Sequence, residues 1–242
     1  MSTHRSTTDR LFERYHTYSR RPEFMNDQGL LRTMFKSFER VLGSWLPDDL
    51  SAAILDVGCG EGALLAFLKY KGYQKLYGLD ISPENVNLCH HLGFGSVQEL
   101  DMSQLDRFPG PSHYDVIFAM DVIEHLPKQS AADFLEHIRE RIRPGGFLIL
   151  QTPNMGSFTG LYHRYYDLSH EFGLTEKSAL DLLMLVGFRI DEIQIRPAWN
   201  ATSFLGYLRE VYLRLLHLAV FLAEGSARPK IPTRNLLIRA KR

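Results

Sequence analysis

Cysteine, net charge and long apolar runs are what this 242-residue sequence has little of. Its two cysteines, Cys59 and Cys89, do not form a CxxC pair and cannot build a disulfide framework, which favours a reducing, cytoplasmic setting. The 28 basic and 28 acidic side chains cancel, so no overall positive field attracts nucleic acid, and we expect no nucleic-acid partner. No apolar run reaches the ~18 residues of a spanning helix, and the N-terminal segment lacks the apolar stretch of a cleaved secretion signal.

Short apolar runs alternate with helical patterns through residues 51–154. The runs AILDVG, LYGLDI, YDVIFAMD and FLILQTPN are typical of buried strands, and amphipathic stretches such as ALLAFLKYKG separate them. This alternation predicts an α/β fold, a three-layer sandwich around a mostly parallel sheet. Residues 1–50 read as an N-terminal helical lid. Residues 155–242 read as a polar-aromatic insertion, an apolar helix and closing strands, all within a single domain.

The glycine-rich segment LDVGCGEG (55–62) follows the first predicted strand. Its glycines permit a sharp turn close to a ligand, and the helix that follows offers unpaired N–H groups. Gly58 to Ala63 also fits GxGxxA, the loose form of a dinucleotide fingerprint, so an NAD-dependent oxidoreductase stays open. Asp80 ends the next apolar run, where a carboxylate would bind ribose hydroxyls. The pattern therefore favours a ligand that contains adenosine.

Two acidic positions shift this interpretation away from a dinucleotide. Asp56 lies on the strand just before the glycines, where a carboxylate repels a pyrophosphate and suits an ammonium or sulfonium group. Asp101, followed by Met102, ends the third apolar run, where it would bond an adenine amino group and pack on the ring.

At this point the sequence resembles the class I S-adenosylmethionine-dependent methyltransferases. Within that class it is most similar to ubiquinone-biosynthesis O-methyltransferases and to small methyltransferases of glycan and natural-product pathways. The resemblance implies a Rossmann-like, mostly parallel seven-stranded sheet. The segments that carry it are LDVGCGEG (55–62), YGLDIS (77–82), LDM (100–102), FAMDVIEHLP (118–127) and IRPGGFLILQTPN (142–154).

The resemblance also implies S-adenosylmethionine as the cofactor and a part of it for each matched residue. The expected contacts are Asp56, Gly58 and Gly60 with the methionine portion, Asp80 with the ribose, Ile81, Asp101 and Met102 with the adenine, and Met120 and Asp121 with the sulfonium. The N-terminal helices would close over the cofactor. The side chains that we considered as contacts from this lid are Tyr15, Tyr18, Arg32 and Arg40.

Methyl transfer to a hydroxyl also needs a base within hydrogen-bond reach of the acceptor. The insertion after the fifth strand supplies His170, the leading candidate, and His163, while His125 follows the fourth strand. A metal site of His163, His170 and Glu171 is a weaker interpretation, because H-x6-HE is not a recognised ligand spacing, and we expect no metal.

The helical stretch 204–225 is apolar apart from a narrow polar stripe of Arg209, Glu210, Arg214, His217 and Glu224. Residues 226–242 add six basic side chains and no acidic one. Three interpretations stay open: the helix packs into its own core over the acceptor pocket, forms the seam of a homodimer, or lies peripherally in a membrane interface.

The sequence thus predicts a methyltransferase, acting on a hydroxyl of a small or lipid-linked acceptor. The alternatives are an N-methyltransferase of a small molecule, an NAD-dependent oxidoreductase, and a non-catalytic module with a methyltransferase fold. The intact set of Asp56, Asp80 and Asp101 argues against the last, because a decayed site would lose such residues.

Overall fold

The computed structural model describes residues 11–12, 27–225 and 230–242. A seven-stranded sheet runs through the described part of the chain. Its strands are β1 (Ala53–Val57), β2 (Lys75–Asp80), β3 (Val97–Glu99), β4 (Tyr114–Met120), β5 (Ile142–Pro153), β6 (Ile193–Pro197) and β7 (Asn235–Lys241). Their order is β3-β2-β1-β4-β5-β7-β6, and every pairing is parallel except those of β7, which is antiparallel to both its neighbours.

Helices connect these strands and cover both faces of the sheet. They are α1 (Gln28–Leu42), α2 (Ala63–Tyr70), α3 (Pro83–His91), α4 (Ser130–Arg141), α5 (Gly160–Tyr166), α6 (Glu176–Leu185) and α7 (Phe204–Glu224). One apolar cluster joins the sheet to α1, α2 and α3, and a second cluster joins the opposite face to α4 and α6. The predicted three-layer α/β class is therefore confirmed.

Alternating side chains on β1 and β4 explain why both faces need cover. On β1, Ile54 points into the cluster of α1, α2 and α3, whereas Leu55 and Val57 point into the other cluster. On β4, Val116 and Ile117 divide in the same way. Successive strand side chains alternate between faces, so strands that are apolar at most positions bury both sides of the sheet.

Residues at the helix starts fix where several helices begin. Ser82 precedes Pro83 at the first position of α3, where the missing proline N–H costs no intrahelical bond. Thr175 caps α6 in a capping box with Ser178. Asp27 accepts hydrogen bonds from the backbone of Gly29 and Leu30 and starts α1.

The long helix α7 turns two residues of its polar stripe, Glu210 and His217, inward, whereas Arg209 and Arg214 are exposed. Glu210 and His217 are buried, whereas Leu205 and Leu215 keep 76% and 61% of their surface exposed. The carboxylate of Glu210 accepts two hydrogen bonds from Arg40 of α1, at 2.5 and 2.8 Å. The interpretation that the apolar face packs into the protein core is therefore wrong, because polar pairing holds the helix instead. None of the described helices has the length and apolarity needed to cross a bilayer.

Candidate active site

A groove lies at the carboxyl ends of β1, β2 and β4, where ligands bind in open α/β sheets. It has two adjoining halves that share Gly58, Gly60, Glu61, Met120 and Asp121. The first half is further lined by Phe12, Leu79, Asp80, Ile81, Asn85, Leu100, Met102, Val122 and His125. The second half is further lined by Leu30, Met34, Phe38, Val41, Asp56, Cys59, Ala63, Leu64 and Gln151.

Asp80 holds the glycine-rich turn against the end of β2. Its Oδ2 accepts the N–H of Gly60 at 2.8 Å, and its Oδ1 accepts from the N–H of Ser82 at 2.9 Å and from Asn85 Nδ2 at 3.1 Å. The carboxylate thus lies at the groove in a fixed orientation. A rigid carboxylate at this place suits a pair of ribose hydroxyls, as the sequence predicts.

Two glycines of the turn have left-handed backbones for different reasons. At Gly58 (φ 68°) a Cβ would fall 2.5 Å from Cγ2 of Val122, so Val122 leaves no room for a side chain at this position. At Gly60 (φ 54°) a Cβ would meet nothing within 4 Å and would project into open space. Glycine at position 60 therefore keeps the groove open to a ligand.

Asp56 lies at the base of the second half of the groove, beneath the glycine turn. The residue is 2% exposed, and burial, reinforced by the nearby negative charge of Asp80, raises the pKa of its carboxyl well above the usual range. A cationic ligand group above it would relieve this cost, because an opposite charge favours the ionised carboxylate. The position thus matches the ammonium or sulfonium that the sequence predicts.

Most of the predicted cofactor residues meet in this groove. Ile81 and Met102 line the first half, and Met120 and Asp121 lie where the halves join. Asp121 has a positive φ of 55°, and its side chain accepts a hydrogen bond from Gln151 at 2.9 Å. A strained backbone is often retained at a functional site, so this geometry supports a role for Asp121.

Asp101 has another role in this structure, although its contact with adenine stays a prediction. Its carboxylate accepts the N–H of Ser103 at 2.7 Å and caps the 3₁₀ turn Met102–Arg107. The side chain is not among those that line either half of the groove. It therefore positions Met102 in the groove.

Helix α1 supplies the outer wall of the second half through Leu30, Met34, Phe38 and Val41. Of the four side chains considered as contacts from the N-terminal helices, the two that the structure describes do not line the groove: Arg32 is exposed and Arg40 pairs with Glu210. Tyr15 and Tyr18 lie outside the described residues. The closure of residues 1–50 as a lid stays a prediction.

Three groove residues escaped the sequence reasoning. Glu61 lines both halves from within the glycine segment, Asn85 orients Asp80, and Gln151 bonds Asp121 from β5. Asn85 follows Asp80 by about one helical turn, and Gln151 stands in the LILQTP run. Gln151 was therefore accessible as a polar residue at the carboxyl end of a predicted strand, and Glu61 as an acidic residue between two glycines of the glycine segment.

The groove meets the insertion at a pair of histidines. The rings of His125 and His170 have centroids 4.8 Å apart and lie at 70° to each other. His125 lines the groove, and its Nδ1 lies 2.9 Å from the hydroxyl of Ser169. The structure thus joins two of the three predicted base candidates.

Backbone contacts fix His170 in this position. Its Nδ1 donates to the carbonyl of His163 at 2.9 Å, and Arg164 donates to the carbonyls of His170 and Glu171. The N–H of Glu171 donates to the carbonyl of Glu124 at 2.8 Å. The insertion therefore packs onto the 3₁₀ turn Ile123–His125 beside the groove.

His163 and Glu171 do not join a ligand cluster in the described structure, whereas Glu124 does. Potential ligand atoms of Glu124, His125 and His170 lie within 4.8 Å of one another. Glu124 is buried, and this burial, with the negative charges of Asp121 and Asp167, raises the pKa of its carboxyl well above the usual range. The absence of a metal stays a prediction.

The groove fits S-adenosylmethionine by the chemistry of its lining. It places a buried carboxylate at each half, Asp56 and Asp80, around a turn whose Gly60 leaves open space. Apolar side chains for an adenine ring, Ile81 and Met102, lie beside Asp80. The bound cofactor would supply a methyl group on a sulfonium, ready for displacement by a nucleophile.

A protein-family profile described as a methyltransferase domain matches residues 26–217. The range covers most of the chain, so the chain belongs to this family of methyltransferase domains. The prediction of a class I S-adenosylmethionine-dependent methyltransferase is thereby confirmed at the level of family and fold, and the dinucleotide interpretation is not supported.

Relatives and solved structures agree with this assignment. The chain is 30% identical over 156 residues to a tRNA U34 carboxymethyltransferase of Idiomarina loihiensis, covering 59% of this chain and 47% of that protein. It is 31% identical over 107 residues to a ubiquinone biosynthesis O-methyltransferase of Leptothrix cholodnii, covering 42% and 44%. The chain thus spans less than half the length of these curated relatives.

The fold of the chain matches those of solved S-adenosylmethionine-dependent enzymes. A methyltransferase of Archaeoglobus fulgidus superposes with a TM-score of 0.69 at 20% identity, covering 95% of this chain and all of that one. A magnesium protoporphyrin IX methyltransferase of Synechocystis with bound S-adenosylmethionine gives 0.57 at 16% identity, with each chain fully covered. The predicted cofactor is confirmed. The expectation of no nucleic-acid partner is not confirmed, because the relatives include a tRNA-modifying enzyme.

Proposed function

We propose that this protein transfers a methyl group from S-adenosylmethionine to a hydroxyl of a small or lipid-linked acceptor. The histidine pair beside the groove is the observation that carries the proposal. His125 lines the cofactor groove and His170 belongs to the insertion, so a hydroxyl at the pair lies next to both the cofactor and the acceptor loop.

The protonation of both rings suits the loss of a proton from a hydroxyl. A carbonyl only accepts, so the Nδ1 of His170 carries the hydrogen in its bond to His163, and Nε2 keeps a lone pair. The Ser169 hydroxyl donates to Asp167 at 2.5 Å, so it accepts from the Nδ1 of His125. His170 therefore presents an Nε2 lone pair, while His125 carries its ring hydrogen on Nδ1. An amine nucleophile would have less need of this lone pair.

His163 is the weaker candidate of the three histidines. Burial, helped by the positive charge of Arg234 and by the neighbouring His170, lowers the pKa of its imidazole. Its backbone carbonyl accepts a hydrogen bond from His170, and its ring contacts that of Tyr162 with centroids 5.3 Å apart. We assign it to positioning of the insertion.

A lipid-linked acceptor is favoured by the outward face of α7. The exposed side chains on this face include Phe204, Leu205, Val211, Tyr212, Leu215 and Leu222. Phe158, just before α5, stacks on Phe221 of α7 with centroids 6.0 Å apart, so the start of the insertion lies against this helix. A helix that turns apolar residues outward and carries Arg209 and Arg214 suits the interface of an anionic membrane.

The test is methyl transfer from S-adenosyl-[methyl-³H]methionine to catechols, prenylated catechols and matched aromatic amines. We expect label on an oxygen, located by mass spectrometry. The substitution His170→Asn should lower kcat by about 10²–10⁴-fold and leave the affinity for S-adenosylhomocysteine unchanged. The matched control His163→Asn should keep most of the turnover. Label on the amines alone, or wild-type turnover of His170→Asn, contradicts the proposal.

A further inference from the structure

We propose that a cavity between α6 and the edge strand β6 binds a fatty-acid-like ligand, a single apolar chain with an anionic head group. The cavity has a volume of about 680 Å³, within the range of ~300–1,000 Å³ that is typical of ligand pockets. It shares no lining residue with either half of the cofactor groove. The site is therefore distinct from the one that carries the proposed function.

Aliphatic side chains form the interior of this cavity. They are Leu180 of α6, Ile190, Ile193 and Ile195 at and before β6, and Ile231 before β7. Ile193 and Ile195 share one face of β6, because alternate residues of a strand point the same way. Ile190 is 62% exposed, and Leu180, Ile193 and Ile195 are half-buried, so the protein itself leaves their apolar surface partly uncovered. An apolar chain in the cavity would remove that surface from water.

Asn154 fixes the wall of the cavity at the end of β5. The residue is 1% exposed, and its Nδ2 donates to the carbonyls of Ile231 and Thr233 at 2.9 and 3.0 Å. Its Oδ1 accepts the N–H of Gly156 at 2.9 Å. The amide thus ties the segment before β7 to the start of the insertion, and the two walls have a fixed separation. The cavity is therefore a built feature of the fold.

The charged residues of the lining favour an anionic head group. They are Lys177, Lys230 and Glu176, so basic side chains outnumber acidic ones. Lys177 also pairs with Asp181 at 2.6 Å, an exposed pair of small energetic weight. Lys230 is exposed and makes no ion pair with the residues that the structure describes. A carboxylate beside Lys230, with its chain among the isoleucines, would satisfy both parts of the cavity.

The test is calorimetric titration of the full chain with dodecanoate below its micelle-forming concentration, with neither cofactor nor acceptor present. We expect one dodecanoate per chain with micromolar affinity. Each CH₂ that leaves the cavity should weaken binding about three- to fourfold, so decanoate should bind about tenfold more weakly. Dodecyltrimethylammonium has the same chain with a cationic head group and should also bind at least about tenfold more weakly. No binding of dodecanoate, or equal binding of the two dodecyl amphiphiles, overturns the inference.

Two variants at exposed positions of the cavity test the place of binding. Lys230→Glu removes the cation that faces the head group, and Ile190→Glu introduces a charge beside the chain, so each should weaken dodecanoate binding by about tenfold or more. The matched controls are Lys128→Glu and Leu185→Glu, which change an exposed lysine and an exposed leucine outside the cavity. Both controls should bind dodecanoate as the wild type does, and thermal unfolding shows that each variant is folded.

The exposed apolar face of α7 is the competing place for an apolar chain. Leu205→Glu combined with Leu215→Glu changes that face and leaves the cavity intact. This double variant should keep the wild-type affinity for dodecanoate. Wild-type affinity in both cavity variants, or loss of binding in the α7 double variant, overturns the inference.

Discussion

The rings of His125 and His170 meet edge to face with their centroids 4.8 Å apart, although they belong to different segments of the chain. His125 follows β4 directly and His170 lies in the insertion after β5. The two strands are parallel neighbours, so their carboxyl ends lie side by side and bring the segments together. The acceptor loop and the cofactor groove therefore share a polar cluster.

Removal of the Asp80 carboxylate should weaken cofactor binding. The Asp80→Ala substitution loses the ribose contacts and the bond to the N–H of Gly60, so we expect a cost of about 1.5–3 kcal/mol. This equals ~10- to 150-fold in the dissociation constant of S-adenosylhomocysteine, measured by calorimetric titration. Asp106→Ala, an exposed carboxylate, is the matched control. Equal affinities of the two variants would refute the ribose role of Asp80.

Alanine at Gly58 and alanine at Gly60 should have different effects. Each substitution carries the strain of a left-handed backbone, roughly 1–2 kcal/mol of stability. Gly58→Ala should cost more, because its Cβ would clash with Val122. Gly60→Ala should keep more of its stability and lose most of its affinity for S-adenosylhomocysteine, because its Cβ projects into open space. Thermal unfolding and titration distinguish the two, and full affinity in Gly60→Ala would contradict this account.

The raised pKa of Asp56 gives a pH dependence of known sign. In the folded state this carboxyl holds its proton above pH 3.8, its ordinary pKa, whereas the unfolded chain releases it. The folded chain thus binds more protons, and its stability falls as the pH rises from about 4 toward the folded pKa.

Asp56→Asn should remove this loss. Without cofactor, we expect the variant to be more stable than the wild type at pH 7 by on the order of 1 kcal/mol, and nearly equal to it near pH 4. Denaturant unfolding between pH 4 and pH 8 measures the difference, and parallel curves would contradict the burial argument. The same variant should bind S-adenosylmethionine more weakly, because it lacks the charge that faces the cation.

Glutamate on the outer face of α7 should weaken membrane binding. Leu205 and Leu215 are exposed, so Leu205→Glu with Leu215→Glu should leave the fold intact and remove apolar contacts with lipid. We expect the wild type to co-sediment with vesicles containing phosphatidylglycerol. The affinity of the double variant for these vesicles should be lower by about tenfold or more.

The control for this experiment is Leu185→Glu, which changes an exposed leucine of α6 away from that face. It should sediment with the vesicles as the wild type does. A stable dimer in light scattering together with no vesicle binding would assign the face to a second copy of the chain instead.

The cofactor groove was predictable from the sequence for a local reason. Gly58, Gly60 and Asp80 stand at the ends of strands or in the turn between strand and helix, and parallel strands place those ends at one edge. The alternation of short apolar runs determined the α/β class, because strands that are apolar at most positions need cover on both faces. Asp56 was readable from its place on the strand just before the glycines.

The tertiary structure alone decided the contacts that join distant segments. Periodicity showed that Glu210 and His217 share one face of α7, but only the pairing of Glu210 with Arg40 shows that this face points inward. The trio of Glu124, His125 and His170 likewise depends on how the insertion folds back onto β4. Local sequence determines which side chains share a strand end or a helix face, whereas the packing of whole elements decides which of these faces meet.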